Sequence, residues 1–522
     1  MSPESLRGSL TVAGKAPCGP LSRSQQRSIN GTMNPAEAER RTAAGSVNVL
    51  KDTPVTPRNS QPDGLTSERG RLTMTPPRRP NRMLAALLAE ADWTPADLSR
   101  AVNALGAAHG LRLRYDRTSV ARWLNGARPR PPAGQLICQA LSRRIGRRLT
   151  PRDTGFADPD TTGGALTSAL RGGDPVHRLA ALCRAETHPA RRADLARTVL
   201  SAPPPVFTGW GSRPPALPPA DPRAPQASAA APARLEAVAV RSAQLGERYG
   251  GAHGRTALAG YLTTEVAPLL TAPAHPAVRR ALLTGGAHLT LLLAGRTSET
   301  GHPALAQHYY DIALELAHAA GDRGSYAIIL RCLSVQAHQL GDHHQALALG
   351  EAATDIAGSA VPSAVRAYLH AGRAVVRAGA GQSRAATADL LAAEQHLARA
   401  TGPEGPFTSY PETALRYQRA EVLSYLGDHQ AALAELGNSL ACRPADHHKA
   451  RTLLHAQLAH TLLALHDVDA AVDHSLHALR HHRQLTAGSV HGTLPRLAQR
   501  LAPHQRNPHV KAFRERLRAT AR

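Results

Sequence analysis

The chain has 522 residues, 42% of them hydrophobic but only 3% aromatic, and a formal charge of +23. So few aromatic residues in an Ala- and Leu-rich chain argue against a β-sandwich or barrel and for helix packed on helix, while the length calls for two or three units. The charge is uneven: residues 81–150 hold twelve Arg against four acids, 234–485 hold twenty-one of each sign, and 486–522 hold eight basic against one acidic. A concentrated basic block beside a neutral body points to a surface that meets a polyanion rather than to general solubility.

Other classes are excluded by what the sequence lacks. No apolar run approaches the roughly 18 residues of a membrane span, and there is no signal-peptide core, so the reading is a cytoplasmic chain with no membrane partner. Five cysteines (Cys18, Cys138, Cys183, Cys332, Cys442) are scattered without a C-x-x-C pair, as expected of reduced thiols. Ala13-Gly14-Lys15 lacks the leading glycine of a phosphate-binding loop, and no nucleophile elbow, H-E-x-x-H or dinucleotide fingerprint is present. The expectation is therefore no enzyme, no cofactor and no metal. His474, His477 and His481 stand at helical spacing that could ligate zinc, but no carboxylate or cysteine converges on them in sequence. Nearby His466 and His482 make compositional drift the simpler account.

Residues 1–80, rich in Ser, Thr, Pro, Gly and Arg without hydrophobic period, read as a disordered leader. Met74 or Met83 would serve as a start just before the first helix, leaving part of that leader untranslated. Residues 81–156 form a helical block. Its first helix carries Met83, Leu84, Leu87, Leu88 and Ala91 on one face. Its second opens with Thr94 as N-cap, Pro95 at N1 and Asp97 at N3, with Trp93 and Leu98 as a hydrophobic staple and Val102 and Leu105 continuing the stripe. A long loop, HGLRLRYD, leads to a third helix capped by Asp116. A fourth (Leu136, Ile137, Ala140, Leu141, Ile145) backs it and carries Arg143, Arg144, Arg147 and Arg148. Residues 157–201 hold connecting helices (Leu179, Leu182, Leu195, Val199), and 202–232 form a Pro/Ala-rich linker.

From 233 to 485 the pattern is helical and repeats. Turn segments led by Gly301, Gly341, Gly381 and Gly427 each precede a helix, and a fifth begins at His466 with His in place of Gly. Each has Ala five positions on: Ala306, Ala346, Ala386, Ala432 and Ala471. A small residue fixed in the second helix lets its partner approach closely, and glycine closes the turn. This resembles tetratricopeptide repeats, lengthened and degenerate. Residues 486–522 read as a basic helical tail.

The chemistry sits in DRTSVARWLNGARPRPP. Val120, Trp123 and Leu124 share a core face, while Arg117, Thr118, Ala121, Arg122 and Asn125 lie opposite, and Gly126 ends the helix. Arg reads guanine bidentately and Thr can meet a base edge or a thymine methyl, so Arg117, Thr118 and Arg122 are the expected base contacts. Ser119, Asn125, Arg128 and Arg130 are the expected phosphate contacts, the last two on a proline-stiffened path. A solvated helix face is the plain alternative.

The run RYDRTSVARWLNGARPRPP with ALSRRIGRRLTPRDTG resembles the N-terminal domain of actinomycete XRE-type helix-turn-helix regulators, here with a stretched loop between the motif helices. With its repeat-rich C-terminal half, the chain is similar in architecture to Streptomyces negative regulators of sporulation and antibiotic production. The resemblance implies an all-α chain: a helix-turn-helix bundle, then a tetratricopeptide-like α-solenoid. Double-stranded DNA is the expected partner, a homodimer is expected because one such module binds weakly alone, and the repeat domain is expected to take a peptide or protein ligand or to mediate self-association. A repeat adaptor without DNA binding is the alternative.

Overall fold

The computed structural model describes residues 80–520 apart from 109–112, 131–132, 146–148, 150–152, 157–172, 190, 193–194, 196–209, 212–215 and 403–404. The expected leader, Cys18, Arg147, Arg148 and Val199 lie outside the described residues. The described elements are helical, with no strand among them. Four helices make the first block: α1 (Arg82–Glu90), α2 (Pro95–Ala108), α3 (Arg117–Leu124) and α4 (Ala133–Ile145). Their shared core contains Leu84, Leu98, Val102, Val120, Trp123, Leu136, Ile137 and Leu141. Met83, expected in that core, is instead 48% exposed. It sits one residue before Leu84, and a 100° rotation per residue places it outside the Leu84–Leu87–Leu88 stripe.

The repeat body is a chain of helix pairs, α9 (Pro276–Glu299) with α10 (Pro303–Ala320), α11 (Arg323–Gln339) with α12 (His343–Ala357), and α13 (Ser363–Gly379) with α14 (Ser383–Ala398). Two more follow, α15 (Glu412–Tyr425) with α16 (His429–Ala441), and α17 (His448–Ala464) with α18 (Val468–His482). The five repeated alanines are each 0% exposed, so the spacing read from the sequence marks where paired helices touch. The five lead residues all adopt positive φ: Gly301, Gly341, Gly381 and Gly427 lie between 78° and 86°, and His466 at 62°. At each turn the following N–H returns to a carbonyl five residues back, for instance Asp342 N to Ala337 O at 2.9 Å and Asp467 N to Leu462 O at 3.0 Å. Asp342, Asp428 and Asp467 then cap the second helix through their side chains.

Regions expected to stand apart from this body belong to it. Preceding the pairs are α5 (Pro175–Thr187), α6 (Ala231–Tyr249), α7 (Arg255–Tyr261) and α8 (Ala267–Thr271), the last two joined by a π-helical turn. Helix α5 places Leu179, Leu182 and Cys183 in the same core as α6 and α9, and Arg255 pairs with its buried Glu186 at 2.9 Å. Nor are the described parts of the Pro/Ala segment a free linker. Trp210 packs edge-on against Tyr326, and the N–H groups of Asp221 and Ala227 donate to Thr271 O and Pro273 O. A Pro-rich segment can do this because donors left over from its own turns find carbonyls at the α8–α9 turn.

The array also returns to its start. Lys449 on α17 reaches Glu247 on α6 (3.0 Å) and Glu299 on α9 (3.3 Å), and those two carboxylates hold its ammonium pKa well up. Past α18, Thr486 N donates to Tyr249 O, His491 N to Glu299 O, and Ser489 Oγ accepts from Ala252 N. The C-terminal helices α19 (Thr493–Arg500) and α20 (Pro508–Thr520) cover α17 and α18 with Leu494, Leu497, Val510 and Phe513.

The histidines at 474, 477 and 481 join His448 and His455 in a stack: His455 Nδ1 lies 3.0 Å from His474 Nδ1, and His448 Nδ1 lies 3.1 Å from His481 Nδ1. Among the described residues no three His, Cys, Asp or Glu side chains are placed to hold a metal ion. Burial, then neighbouring histidines or Arg451, pushes His455 down to about 2 and His474 and His481 to about 4. These rings fold neutral, so the unfolded chain binds more protons between about pH 4 and its ordinary value of about 6.5.

Two outcomes follow from this packing. Replacing His466 by Gly relieves its left-handed backbone and raises stability by about 0.5–1 kcal/mol, read by denaturant midpoint; an unchanged or lower midpoint contradicts the strain argument. Stability contributed by the neutral histidine stack is present above about pH 6.5 and is lost as pH falls toward 4. Thermal melts should therefore drop between pH 7 and pH 5, and the drop should shrink in a His455→Asn/His474→Asn variant that still folds.

Candidate nucleic-acid interface

An eight-residue helix cannot hold itself in water, so α3 must be fixed from outside. Its first turn is closed by a capping box: Asp116 Oδ1 accepts from Ser119 N and from Ser119 Oγ, both at 2.8 Å. The Ser119 N–H, then its hydroxyl, hold the Asp116 carboxyl below its usual range. Its last turn ends at Gly126, φ 84°, where Ala127 N returns to Arg122 O at 2.9 Å. Val120 and Trp123 are buried beneath it, and Tyr115 meets the Trp123 ring edge-on at 5.0 Å.

Two asparagines then fix both ends to the bundle, Asn103 through its side-chain amide and Asn81 through its backbone N–H. Asn103 on α2 donates through Nδ2 to Tyr115 O (2.7 Å) and accepts from Tyr115 N (2.9 Å), pinning the residue before the cap. Asn81 donates its backbone N–H to Leu124 O (2.7 Å), caps α1 at Leu84 N, and donates through Nδ2 to Thr154 O (2.8 Å). Sequence reading missed both amides. Asn103 stands mid-helix where Asn is a poor former, and that misfit was the available signal.

Against this frame, Arg117, Thr118, Ala121, Arg122 and Asn125 are all exposed on the side opposite Val120 and Trp123. Arg128 and Arg130 are exposed just past the helix end, and Leu124 is only half-buried. Ser119 differs from the other six named candidates: it is half-buried and its hydroxyl is bonded to the cap carboxylate. The Thr94–Asp97 pair caps α2 as expected, with Thr94 N donating to Asp97 Oδ2 at 2.9 Å.

Two arginines of α4 also reach backbone carbonyls of other elements. Arg144 Nε donates to Ala91 O at the end of α1 (2.9 Å), and Arg143 Nη1 donates to Leu340 O at the end of α11 (2.7 Å). Burial pulls the Arg143 guanidinium down, and Asp342 beside it opposes that.

A second feature lies along α11, α13 and α15. Gly372 and Gly379 on α13 leave no side chain where Arg331 and His338 of α11 cross it. Arg331 lies over the Tyr368 ring at 4.0 Å and donates to its hydroxyl, while His338 Nε2 stands 2.9 Å from Tyr425 Oη. Glu421, one turn from both Tyr417 and Tyr425, is half-buried and has no ion pair among the described residues; burial pushes it up to about 7.

Residues 84–157 match the family model described as the SP15 N-terminal domain, which coincides with the four-helix block and covers a small part of the chain. No curated protein matches the chain. No helix among the described residues is long and apolar enough to cross a membrane.

Asn103→Ala leaves the Tyr115 N–H and carbonyl without their partner, at a cost of about 1–3 kcal/mol. Amide hydrogen exchange across Arg117–Leu124 should accelerate while exchange in the repeat pairs stays unchanged; equal protection in the variant would show that the amide is not what holds α3.

Proposed function

We propose that the chain is a sequence-specific DNA-binding transcriptional regulator, with α3 as its recognition helix. The observation that carries this is the exposure of Arg117, Thr118 and Arg122 together on a short helix pinned at both ends. A rigidly held helix offering Arg and Thr suits the major groove, with Asn125, Arg128 and Arg130 at its end against phosphate. Ser119 serves this interface through the cap. The chain acts in the cytoplasm, on the nucleoid, without catalysis, as a homodimer, since one such module binds weakly alone.

The repeat body takes a peptide or protein signal. The crossing of Arg331 and His338 over α13 beside the unpaired Glu421 gives that reading polar groups at the α11–α13–α15 face. Helix α11 carries both crossing residues and is followed by Leu340, whose carbonyl takes Arg143 of the helix-turn-helix block. A ligand that shifts α11 would thereby bias the DNA-binding block. Control of development or secondary metabolism is the role suggested by the resemblance to actinomycete regulators.

The test is chromatin pull-down of the tagged protein beside an Arg117→Ala/Arg122→Ala variant. Discrete peaks sharing a motif are expected for the wild type and lost in the variant, with about 1–3 kcal/mol of discrimination removed per base-reading side chain. Specific binding that survives the double change refutes the recognition-helix assignment. Absence of any DNA enrichment leaves a repeat adaptor as the reading.

A further inference from the structure

Within the repeat pairs several arginines are held by acids: Asp389 binds Arg373 and Arg377, and Glu435 binds Arg416 and Arg419. On the capping helices and the turn between them, Arg496, Arg500, Arg506, Lys511, Arg516 and Arg518 are all exposed, and none has an ion pair among the described residues. Glu515 is the sole acid after Asp473. Their field reaches inward, since Arg500 and Arg496 add to burial in pushing His460 down to about 4.

These charges stand on a packed platform. Leu494, Leu497, Leu501, Val510 and Phe513 bury one side of α19 and α20 against α17 and α18, and Asn507 Nδ2 donates to Asp469 Oδ1 at 2.8 Å. On the other side Arg496 and Arg500 are one turn apart, and Lys511, half-buried Arg514 and Arg518 follow at i, i+3 and i+7. Like charges at that spacing repel and destabilise a helix. An external polyanion would relieve that repulsion.

A membrane surface fits poorly, because an interfacial helix needs a free apolar face and here that face is occupied by the repeat core. Five of the six exposed cations are Arg, whose planar fork suits phosphate oxygens. We propose that the α19–α20 cap is a second, sequence-independent contact surface for the phosphate backbone of duplex DNA. This rests on the reading of the chain as a DNA-binding protein and adds to it a site outside the helix-turn-helix block.

The test is fluorescence anisotropy of the full chain with a duplex of arbitrary sequence, about 40 base pairs long, at about 50–200 mM salt. The variant is Arg500→Gln/Lys511→Gln/Arg516→Gln/Arg518→Gln, checked for an unchanged melt. Its slope of log affinity against log salt should be shallower by about 2–4, with affinity at about 100 mM salt at least about tenfold weaker. A charge-keeping variant, Arg500→Lys/Arg516→Lys/Arg518→Lys, should keep the wild-type slope. Arg117→Ala/Arg122→Ala should retain the contribution of the cap. Equal slope and affinity in the Gln variant, with the wild type binding DNA, overturns this proposal and leaves the regulator reading standing. A wild type without salt-dependent binding overturns both. Binding to phosphatidylserine vesicles that is lost in the Gln variant, with DNA ignored, overturns it in favour of a membrane.

Discussion

The repeat body depends on one backbone constraint used five times: a residue with positive φ between the two helices of each pair. A left-handed residue reverses the chain in the fewest steps, and it does so while returning orphaned N–H groups to the last carbonyls of the first helix. The reversal fixes where the second helix begins, and so places alanine five residues on at the helix contact. With no bulk there, the two backbones close together. Four copies use glycine; the fifth holds His466 in the same conformation, so the packing of α17 and α18 over-determines a turn that His alone would avoid.

The end of the array meets its beginning through Lys449 and the backbone bonds after Thr486. The Lys449 ammonium is half-buried between the two carboxylates, so this contact marks where the ends meet and adds modestly to stability. The segment before the pairs and the Pro-rich stretch are drawn into the same body. The separate connecting region and linker expected from composition are, in their described parts, layers of one core.

The N-terminal block solves a different problem, how to present a helix of eight residues without letting it move. Capping box, left-handed stop, buried Val120 and Trp123, the Asn103 amide and the Asn81 backbone N–H hold it, leaving its polar side to solvent. Arg143 ties this block to the end of α11, so the N-terminal block and the repeat body share a physical link of one charge-assisted hydrogen bond.

Much of this was legible in the sequence by itself: helical class, repeat period, caps at Thr94 and Asp116, the stop at Gly126, and the split of α3 into a core and an outer side. All of these depend on residues within one or two turns of each other, where rotation per residue and backbone sterics decide the outcome. Only tertiary structure decided the rest. Whether Arg143 and Arg144 face solvent or a distant carbonyl, whether a proline-rich stretch hangs free or packs, and whether histidines stack with rings from a neighbouring helix all turn on partners far away in sequence. Charge and composition report what a side chain can do, and the groups folding brings within reach select which of those it does.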